Sequence, residues 1–257
     1  MSSVGAGRVL LIRPAAAGTG PAHRPYAASR SRPQARDHST PPCRARVAPG
    51  GGATVAVLLL HAAAPCDRRA VANVCVFLSS SPGHRPEYRA TAVALGQAIA
   101  AAGHTLVYGG SSVGLMLALA DATMAAGGRV EGVIPRGLVD REVAHLGLTE
   151  LVVVDNMHQR KAEMYRRADG FIVLPGGFGT LEEAFEILTG VQIGVHAKPI
   201  VFLDVLGFWT GLAGFLDHAA GEAMLRREVR SLFQLTDRVD HALAVATGPG
   251  QPFHLTV

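Results

Sequence analysis

The chain lacks the residue patterns of several common protein classes. It has only three cysteines, Cys43, Cys66 and Cys75, an odd number without C-x-x-C spacing, which argues against a disulfide scaffold and favours the reducing cytoplasm. None of its 11 histidines falls into a metal-ligand spacing such as H-E-x-x-H, so we expect no metal, and no other pattern suggests a cofactor. No G-K-[ST] occurs, which excludes a P-loop.

Membrane spans and nucleic-acid binding are also disfavoured. The apolar run at 53–64 is too short to cross a bilayer and lies too far from Met1 for a secretory signal. Acids are scarce in the first 72 residues, which hold ten arginines against Asp37 and Asp67, a charge of +8. Of the chain's 24 bases and 20 acids, the remaining residues hold 14 and 18, a charge of −4. The pI of about 9.3 therefore describes the N-terminal segment, and charge gives no reason to expect nucleic acid as a partner.

We predict a disordered extension over the first 72 residues. They are rich in Ala, Arg, Pro, Gly and Ser and lack steady periodicity, so they cannot bury enough apolar surface to fold alone. An Arg-rich, acid-poor leader is also typical of an organelle transit peptide, and translation from upstream of the true start is a third interpretation. We therefore divide the chain into a disordered extension, 1–72, and a folded domain, 73–257.

From Val74 onward, short apolar runs alternate with helical periods. This alternation predicts a single α/β domain with a doubly wound parallel sheet flanked by helices, without a second domain or an internal repeat. The predicted strands are 74–78, 104–107, 130–134, 150–154, 170–174 and 199–203. The predicted helices run from Pro86 to a closing Gly103 and over 113–126, 157–167, 208–218 and 236–247.

Small polar loops follow three of the predicted strands, at 79–83, 109–114 and 175–180. Since open parallel sheets bind ligands at the carboxyl ends of their strands, the three loops together indicate a nucleotide site. The third loop reads Pro-Gly-Gly-Phe-Gly-Thr between a buried strand and a helix, so backbone N–H groups and the positive end of the helix dipole would face a phosphate. Its spacing is not G-x-G-x-x-G, which disfavours a dinucleotide.

The residues around this loop also allow purely structural interpretations. Thr180 is a good N-cap, and Glu183 stands three positions further on, which is the T-x-x-E pattern of a capping box. Arg160 and Lys161 could be charges on a solvated helix face, and Glu142 could be a surface acid. Both interpretations stay open at the level of these residues.

Two motifs carry a resemblance to a known family. Pro175-Gly-Gly-Phe-Gly-Thr-Leu-Glu-Glu183 and Met157-His-Gln-Arg-Lys161 resemble the P-G-G-x-G-T-x-x-E and M-H-x-R-K motifs of the LONELY GUY cytokinin riboside 5′-monophosphate phosphoribohydrolases. The resemblance covers about residues 73–245. It implies a Rossmann-like fold and a homodimer. It also implies hydrolysis of the N-glycosidic bond of adenosine 5′-monophosphate carrying a prenyl-type group on its 6-amino nitrogen, releasing free base and ribose 5-phosphate.

The resemblance also implies which residues form the site. Its catalytic pair falls on Arg160 and Glu183. A carboxylate beside the sugar would stabilise the positive charge that develops on the ribose and could orient or deprotonate the attacking water. An arginine offers a planar fork of donors to phosphate. The implied substrate-binding residues are Glu142, Arg160, Lys161, Gly176, Gly177, Phe178, Gly179, Thr180, Leu181, Glu182 and Thr189.

The chain departs from the family pattern at five positions, which leaves the choice of substrate less defined than the reaction class. We expect Ser79 and Ser111 to narrow the pocket, and we expect Gly190, where the family has a tryptophan, to widen it or to cost stacking. The five positions are Leu78, Ser79, Ser111, Leu117 and Gly190.

Two other function classes stay open. A nucleotide sensor or carrier would bind the same mononucleotide without turnover. A lysine decarboxylase, an older label for such sequences, would need a Schiff-base lysine and an acidic partner for pyridoxal phosphate. The only lysines are Lys161 and Lys198. The first belongs to the phosphate-type group and the second begins a strand, so we disfavour this class.

Overall fold

The central sheet has eight strands, and every strand pairing in it is parallel. The structure is a computed structural model that describes residues 8–11, 71–139 and 143–250. The strand order is β1-β5-β4-β3-β2-β6-β7-β8. The strands are β1 (Arg8–Leu11), β2 (Asn73–Phe77), β3 (Thr105–Tyr108), β4 (Arg129–Pro135), β5 (Glu150–Val154), β6 (Gly170–Val173), β7 (Ile200–Leu203) and β8 (Gln234–Thr236).

All six predicted strands are confirmed, with boundaries that differ by no more than one residue. Their side chains are almost all buried on both faces, which is why they appear in the sequence as unbroken apolar runs. The sequence did not predict β1 and β8, the two edge strands. Both are short and largely exposed. We had assigned β1 to the disordered extension, whereas residues 8–11 pair with β5. The disorder predicted for residues 1–7 and 12–70 lies outside the described residues.

Seven helices accompany the described strands, and the predicted helices are all present. The helix α1 has Pro86 in its first turn and is followed by Gly103 at φ +73°, as expected for a helix start and stop. Asn156 caps α4 by accepting a hydrogen bond from the Gln159 amide at 3.0 Å. The helices are α1 (Pro86–Ala101), α2 (Gly114–Ala125), α3 (Arg136–Val139), α4 (Met157–Arg167), α5 (Phe178–Gln192), α6 (Thr210–Gly221) and α7 (Val239–Ala246).

The sheet is covered on both faces, which confirms the doubly wound α/β prediction. Side chains of α1, α2 and α7 pack in the apolar cluster on one face, and those of α4, α5 and α6 in the cluster on the other. Cys75 lies in the second cluster as a buried free thiol, and the other two cysteines fall outside the described residues. No helix in the described ranges is both long and apolar enough to cross a bilayer.

The chain changes direction across the sheet next to β2. From β2 it builds outward through β3 and β4 to β5, and then it returns to place β6 on the other side of β2. The carboxyl ends of β2 and β6 therefore form the switch point, where doubly wound sheets hold their ligands. The loops that leave these two ends are the serine loop at 79–83 and the glycine turn at 175–177.

Candidate active site

A buried ion pair connects α4 to α5 above this edge of the sheet. Nη1 of Arg160 donates to Oε1 of Glu183 at 2.9 Å, and the two residues are only 6% and 5% exposed. Nε of Arg160 also donates to the carbonyl oxygen of Val133 on β4 at 3.1 Å. The structure thus rejects the solvated-face interpretation of Arg160.

Burial sets the charge behaviour of Glu183. It raises the pKa of this carboxyl, and the nearby Arg160 guanidinium counteracts the rise. Burial also raises the pKa of the Cys75 thiol, which makes that thiol unreactive. The pair therefore provides a buried carboxyl whose pKa lies above its ordinary value, which makes it a better proton acceptor than an ordinary glutamate.

The glycine turn leads into α5, but it does not form the predicted capping box. The helix begins at Phe178 with Gly177 as its N-cap, and no side chain caps it. Thr180 is therefore the third helical residue, and the Glu183 carboxylate accepts from Arg160 rather than capping the helix. The capping-box prediction is wrong because Gly177 is already extended (φ −95°, ψ −150°) and starts the helix earlier.

Space above the turn is open to an anion. A Cβ added at Gly177 or Gly179 would meet no atom within 4 Å, so nothing covers these two positions. Gly176 differs, because a Cβ there would lie 2.0 Å from the Oγ1 of Thr180. The first amides of α5 have no side-chain cap, and such amides are ready donors to a phosphate.

Two cavities flank the turn. The smaller, about 260 Å³, lies at the switch point between the serine loop and the glycine turn. The larger, about 670 Å³, lies between α4 and α5 and has Glu183 in its wall. Its other lining residues are Phe77, His158, Lys161, Ala162, Tyr165, Glu182, Phe185, Glu186, Ile187, Thr189, Gly190, Ile193 and Val195.

A second, more exposed ion pair stands beside the buried one. Nζ of Lys161 lies 3.0 Å from Oε2 of Glu186 and also donates to Glu182. The hydrogen bond to Glu182 is the main reason that the pKa of Lys161 is raised. Thr189 on the same wall donates its hydroxyl to the carbonyl oxygen of Phe185 at 2.7 Å. The wall of the larger cavity thus combines charged side chains with apolar ones.

The structure brings most of the predicted site residues together. Arg160 and Glu183 pair, while Lys161, Glu182 and Thr189 line the larger cavity. The remaining predicted residues lie on the glycine turn or in the first two turns of α5, where Phe178 is 93% exposed and Leu181 packs partly into the core. Glu142 lies outside the described residues.

The five departures from the family pattern are spread over the edge of the sheet. Ser79 lines the smaller cavity and Gly190 lines the larger. Each therefore lies where its side chain, or the lack of one, can affect the width of a cavity. Ser111 instead forms an antiparallel bridge with Ala144 and lines neither cavity, so the expectation that it narrows the pocket is wrong. Leu78 is buried in the core and Leu117 is half-buried on α2.

Several lining residues were not identified from the sequence. His158 and Tyr165 lie on the cavity-facing side of α4 with Lys161, and Phe185 and Ile193 extend the α5 wall. Their spacing of three or four residues was a usable signal, because such residues share one helix face. Within the described ranges, no group of three or more His, Cys, Asp or Glu residues could hold a metal ion.

Comparison with known proteins places the chain among relatives of one kind. Residues 116–245 match the sequence family described as "Possible lysine decarboxylase". The chain is 46% identical over 160 residues to the "Probable cytokinin riboside 5′-monophosphate phosphoribohydrolase LOGL5" of Oryza sativa subsp. japonica, covering 62% of this chain and 65% of that protein. It is 45% identical over 160 residues to the "Cytokinin riboside 5′-monophosphate phosphoribohydrolase LOG7" of Arabidopsis thaliana, covering 62% and 74%.

Solved structures share the fold. The X-ray structure of TM1055 matches with a TM-score of 0.53 at 26% identity and covers 68% of this chain and 98% of that one. The Moco carrier protein from Chlamydomonas reinhardtii matches with a TM-score of 0.51 at 22% identity, covering 68% and 94%, and this likeness concerns the fold alone. The family model and the sequence relatives identify the family: the chain belongs to the LONELY GUY family of cytokinin riboside 5′-monophosphate phosphoribohydrolases.

Proposed function

We propose that this protein hydrolyses the N-glycosidic bond of N6-prenylated adenosine 5′-monophosphate and releases the free base and ribose 5-phosphate. The observation that carries the proposal is the buried pair of Arg160 and Glu183, at 2.9 Å, between an open glycine turn and a cavity of about 670 Å³. Glycosidic cleavage needs a carboxylate near the ribose, an anion site for the 5′-phosphate and room for the base. The three features lie next to one another.

Glu183 is the proposed catalytic carboxylate. As the bond from C1′ of the ribose to the base breaks, its electron pair goes to the base and positive charge develops on the sugar. A carboxylate at this point stabilises that charge and takes a proton from the attacking water, whose oxygen bonds to C1′. The proton then returns to the leaving base. Burial raises the pKa of Glu183, and the positive charge of Arg160 counteracts that rise and so favours the ionised carboxylate.

The 5′-phosphate is assigned to the glycine turn. Open space at Gly177 and Gly179 lets an anion reach the backbone amides at the start of α5. The sequence offered Arg160 as a phosphate ligand, but two of its three nitrogens already bind Glu183 and Val133. We therefore assign Arg160 to the ribose side of the reaction.

The base and its N6 substituent are assigned to the larger cavity. Lys161, Glu182 and Glu186 can bind polar edges of an adenine, and the apolar side chains of the cavity wall suit a prenyl group. Ile193 and Val195 are two of these apolar side chains. Gly190 in the wall of this cavity lies close to His196, since a Cβ there would lie 2.8 Å from the ring of His196.

One assay separates this function from its alternatives. The purified protein is incubated with adenosine, guanosine and N6-prenyladenosine 5′-monophosphates, and the free bases are separated. We expect prenylated adenine to be released fastest. Binding of a nucleotide without release of base would instead favour a sensor or carrier.

Decarboxylation of lysine is disfavoured by the surroundings of both lysines. Lys161 is engaged by Glu182 and Glu186. Lys198 donates to the carbonyl oxygen of Tyr165 at 2.7 Å, with its Nζ 4.2 Å from the centre of the Tyr165 ring. Both amines are therefore already bound by groups of the protein, and neither is a free nucleophile for a Schiff base. Loss of carbon dioxide from lysine in the presence of pyridoxal phosphate would overturn this assignment.

A cytoplasmic homodimer is the proposed working form. The apolar helix predicted at 113–126 is not evidence for a dimer interface, because α2 packs on α1 inside the subunit. Exposed apolar side chains such as Phe178 on α5 and Phe215 on α6 provide a better reason. Sedimentation that shows an active monomer at assay concentration would contradict the dimer.

A further inference from the structure

Gly109 directly follows β3, and its surroundings explain why a glycine stands there. A Cβ added to Gly109 would lie 1.9 Å from Nη2 of Arg160, 3.0 Å from its Cζ and 3.5 Å from its Nε. These three nearest atoms all belong to one guanidinium. The flat head of Arg160 therefore lies against the Cα of Gly109, in the space that any side chain would take.

Backbone conformation gives no separate reason for glycine at this position. Gly109 is not among the described residues with positive φ, whereas its neighbour Gly110 is, at +71°. A Cβ on Gly110 would approach Ile134, and one on Gly132 would lie 2.5 Å from Leu148, so these two glycines serve core packing. Gly109 differs from both, because the three atoms nearest to an added Cβ there all belong to Arg160, a residue of the candidate site.

The guanidinium is held on three sides. Its Nε donates to the carbonyl oxygen of Val133 and its Nη1 to the carboxylate of Glu183, while Nη2 rests against Gly109. Because the guanidinium is planar and rigid, a shift at Nη2 moves the other two nitrogens as well. A methyl group at position 109 would thus disturb both hydrogen bonds of Arg160.

We propose that Gly109 is a positioning residue, which sets the place of the Arg160 guanidinium and through it the orientation of the Glu183 carboxylate. The inference rests on the proposed function, in which Glu183 acts on water beside the ribose. A methyl group there displaces the flexible end of one side chain and leaves the backbone in place. The change therefore affects the reaction more than the fold.

The first test is kinetic. We expect Gly109→Ala to lower kcat by about 10²-fold, the effect of a misplacement of about 1 Å. KM should change less than about threefold, because the glycine turn and the residues of the larger cavity other than Glu183 keep their places. The acid limb of its pH–rate profile should move to higher pH, because Glu183 loses part of the charge that keeps it ionised.

A matched control separates this effect from ordinary destabilisation. A Cβ at Gly96 would lie 2.6 Å from the carbonyl oxygen of Leu119, between α1 and α2 and away from the site. Gly96→Ala should lower the thermal unfolding midpoint and leave kcat and the acid limb unchanged. A wild-type kcat and acid limb in Gly109→Ala would overturn the proposal.

The decisive test is a double-mutant cycle with Arg160→Lys, since lysine has no Nη2 and leaves room for a Cβ at position 109. In that background Gly109→Ala should lower kcat by less than about twofold and leave the unfolding midpoint unchanged. The unfolding midpoints test the contact even if no variant releases base, an outcome that would refute the proposed function alone. An equal drop in midpoint in both backgrounds would show that Gly109 does not act through Arg160.

Discussion

The side chains of Arg160 and Glu183 pair at 2.9 Å while both are almost fully buried. The next residues along α4 and α5 form a different kind of pair, in which Lys161 contacts carboxylates that are more than half exposed. Water can replace Lys161 as a partner of those carboxylates, but it cannot replace Arg160 beside Glu183. Among the charged neighbours of Glu183, Arg160 is thus the one that forms a buried ion pair with it, and the predictions below concern that pair.

We expect Glu183→Gln to abolish most turnover and to leave folding nearly unchanged. Glutamine cannot carry the negative charge or take the proton, so base release should fall by about 10²-fold or more. Its amide oxygen can still accept from Arg160, and the raised pKa of Glu183 shows that the fold already disfavours a charge there. The free energy of unfolding, measured with denaturant, should change by no more than about 1 kcal/mol.

Glu163→Gln is the control for that variant. Glu163 is also a buried carboxylate, but it pairs with Arg166 and Arg167 at the other end of α4, and these arginines lower its pKa. Here the fold favours the charge, so this variant should lose stability and keep base release. A Glu183→Gln variant with nearly normal turnover would remove Glu183 from the reaction.

The pH dependence of the reaction follows from the raised pKa of Glu183. Its ordinary value is 4.5 and burial raises it, so kcat/KM should fall as the pH drops through a value above 4.5. The sign for folding is opposite: the contribution of Glu183 to stability is fully present below its unfolded pKa and is lost as the pH rises through its folded pKa. The free energy of unfolding of the wild type relative to Glu183→Gln should therefore decrease as the pH rises from the unfolded to the folded pKa of Glu183. An acid limb below pH 4.5 would contradict the assignment.

The parts of this structure that could be predicted from the sequence are those with a local cause. Six strands were predictable because each is buried on both faces and therefore apolar throughout. The edge strands β1 and β8 lack that signal. Each pairs with one neighbouring strand and is largely exposed, so its residues do not have to be apolar. The same limit applies to Gly109. The residue that leaves no space for a Cβ there is Arg160, which lies 51 positions further along the chain.

The glycine turn shows how a good local rule can fail. Thr180 and Glu183 have the residue types and spacing of a capping box, yet the helix starts at Phe178. The extended conformation of Gly177 determines that start. Glycine can adopt many backbone conformations, and the neighbouring residues in the sequence do not determine which of them it adopts. The partner of Glu183 then comes from α4, which no pattern within the turn could reveal.

Removal of residues 1–68 tests the division of the chain into an extension and a folded domain. The truncated protein loses β1, whose four residues are mostly exposed and pair with β5. In the sheet, β5, β4 and β3 separate β1 from β2, which leads into the candidate site. We expect full turnover, because none of the site residues lies in the removed segment. Uncovering the edge of β5 should lower solubility more than activity. Loss of base release by a protein that still unfolds cooperatively would refute this division.

The last prediction concerns the apolar side chains in the wall of the larger cavity. Ile193 lines it and is 59% exposed, so Ile193→Asp places a charge there with little effect on the core. We expect kcat/KM for the prenylated nucleotide to fall by about 10-fold, the scale of a lost apolar contact, while that for plain adenosine 5′-monophosphate changes less than about twofold. Met224→Asp is the control, because Met224 is also exposed but lines neither cavity. An equal loss for both nucleotides would mean that the prenyl group binds elsewhere.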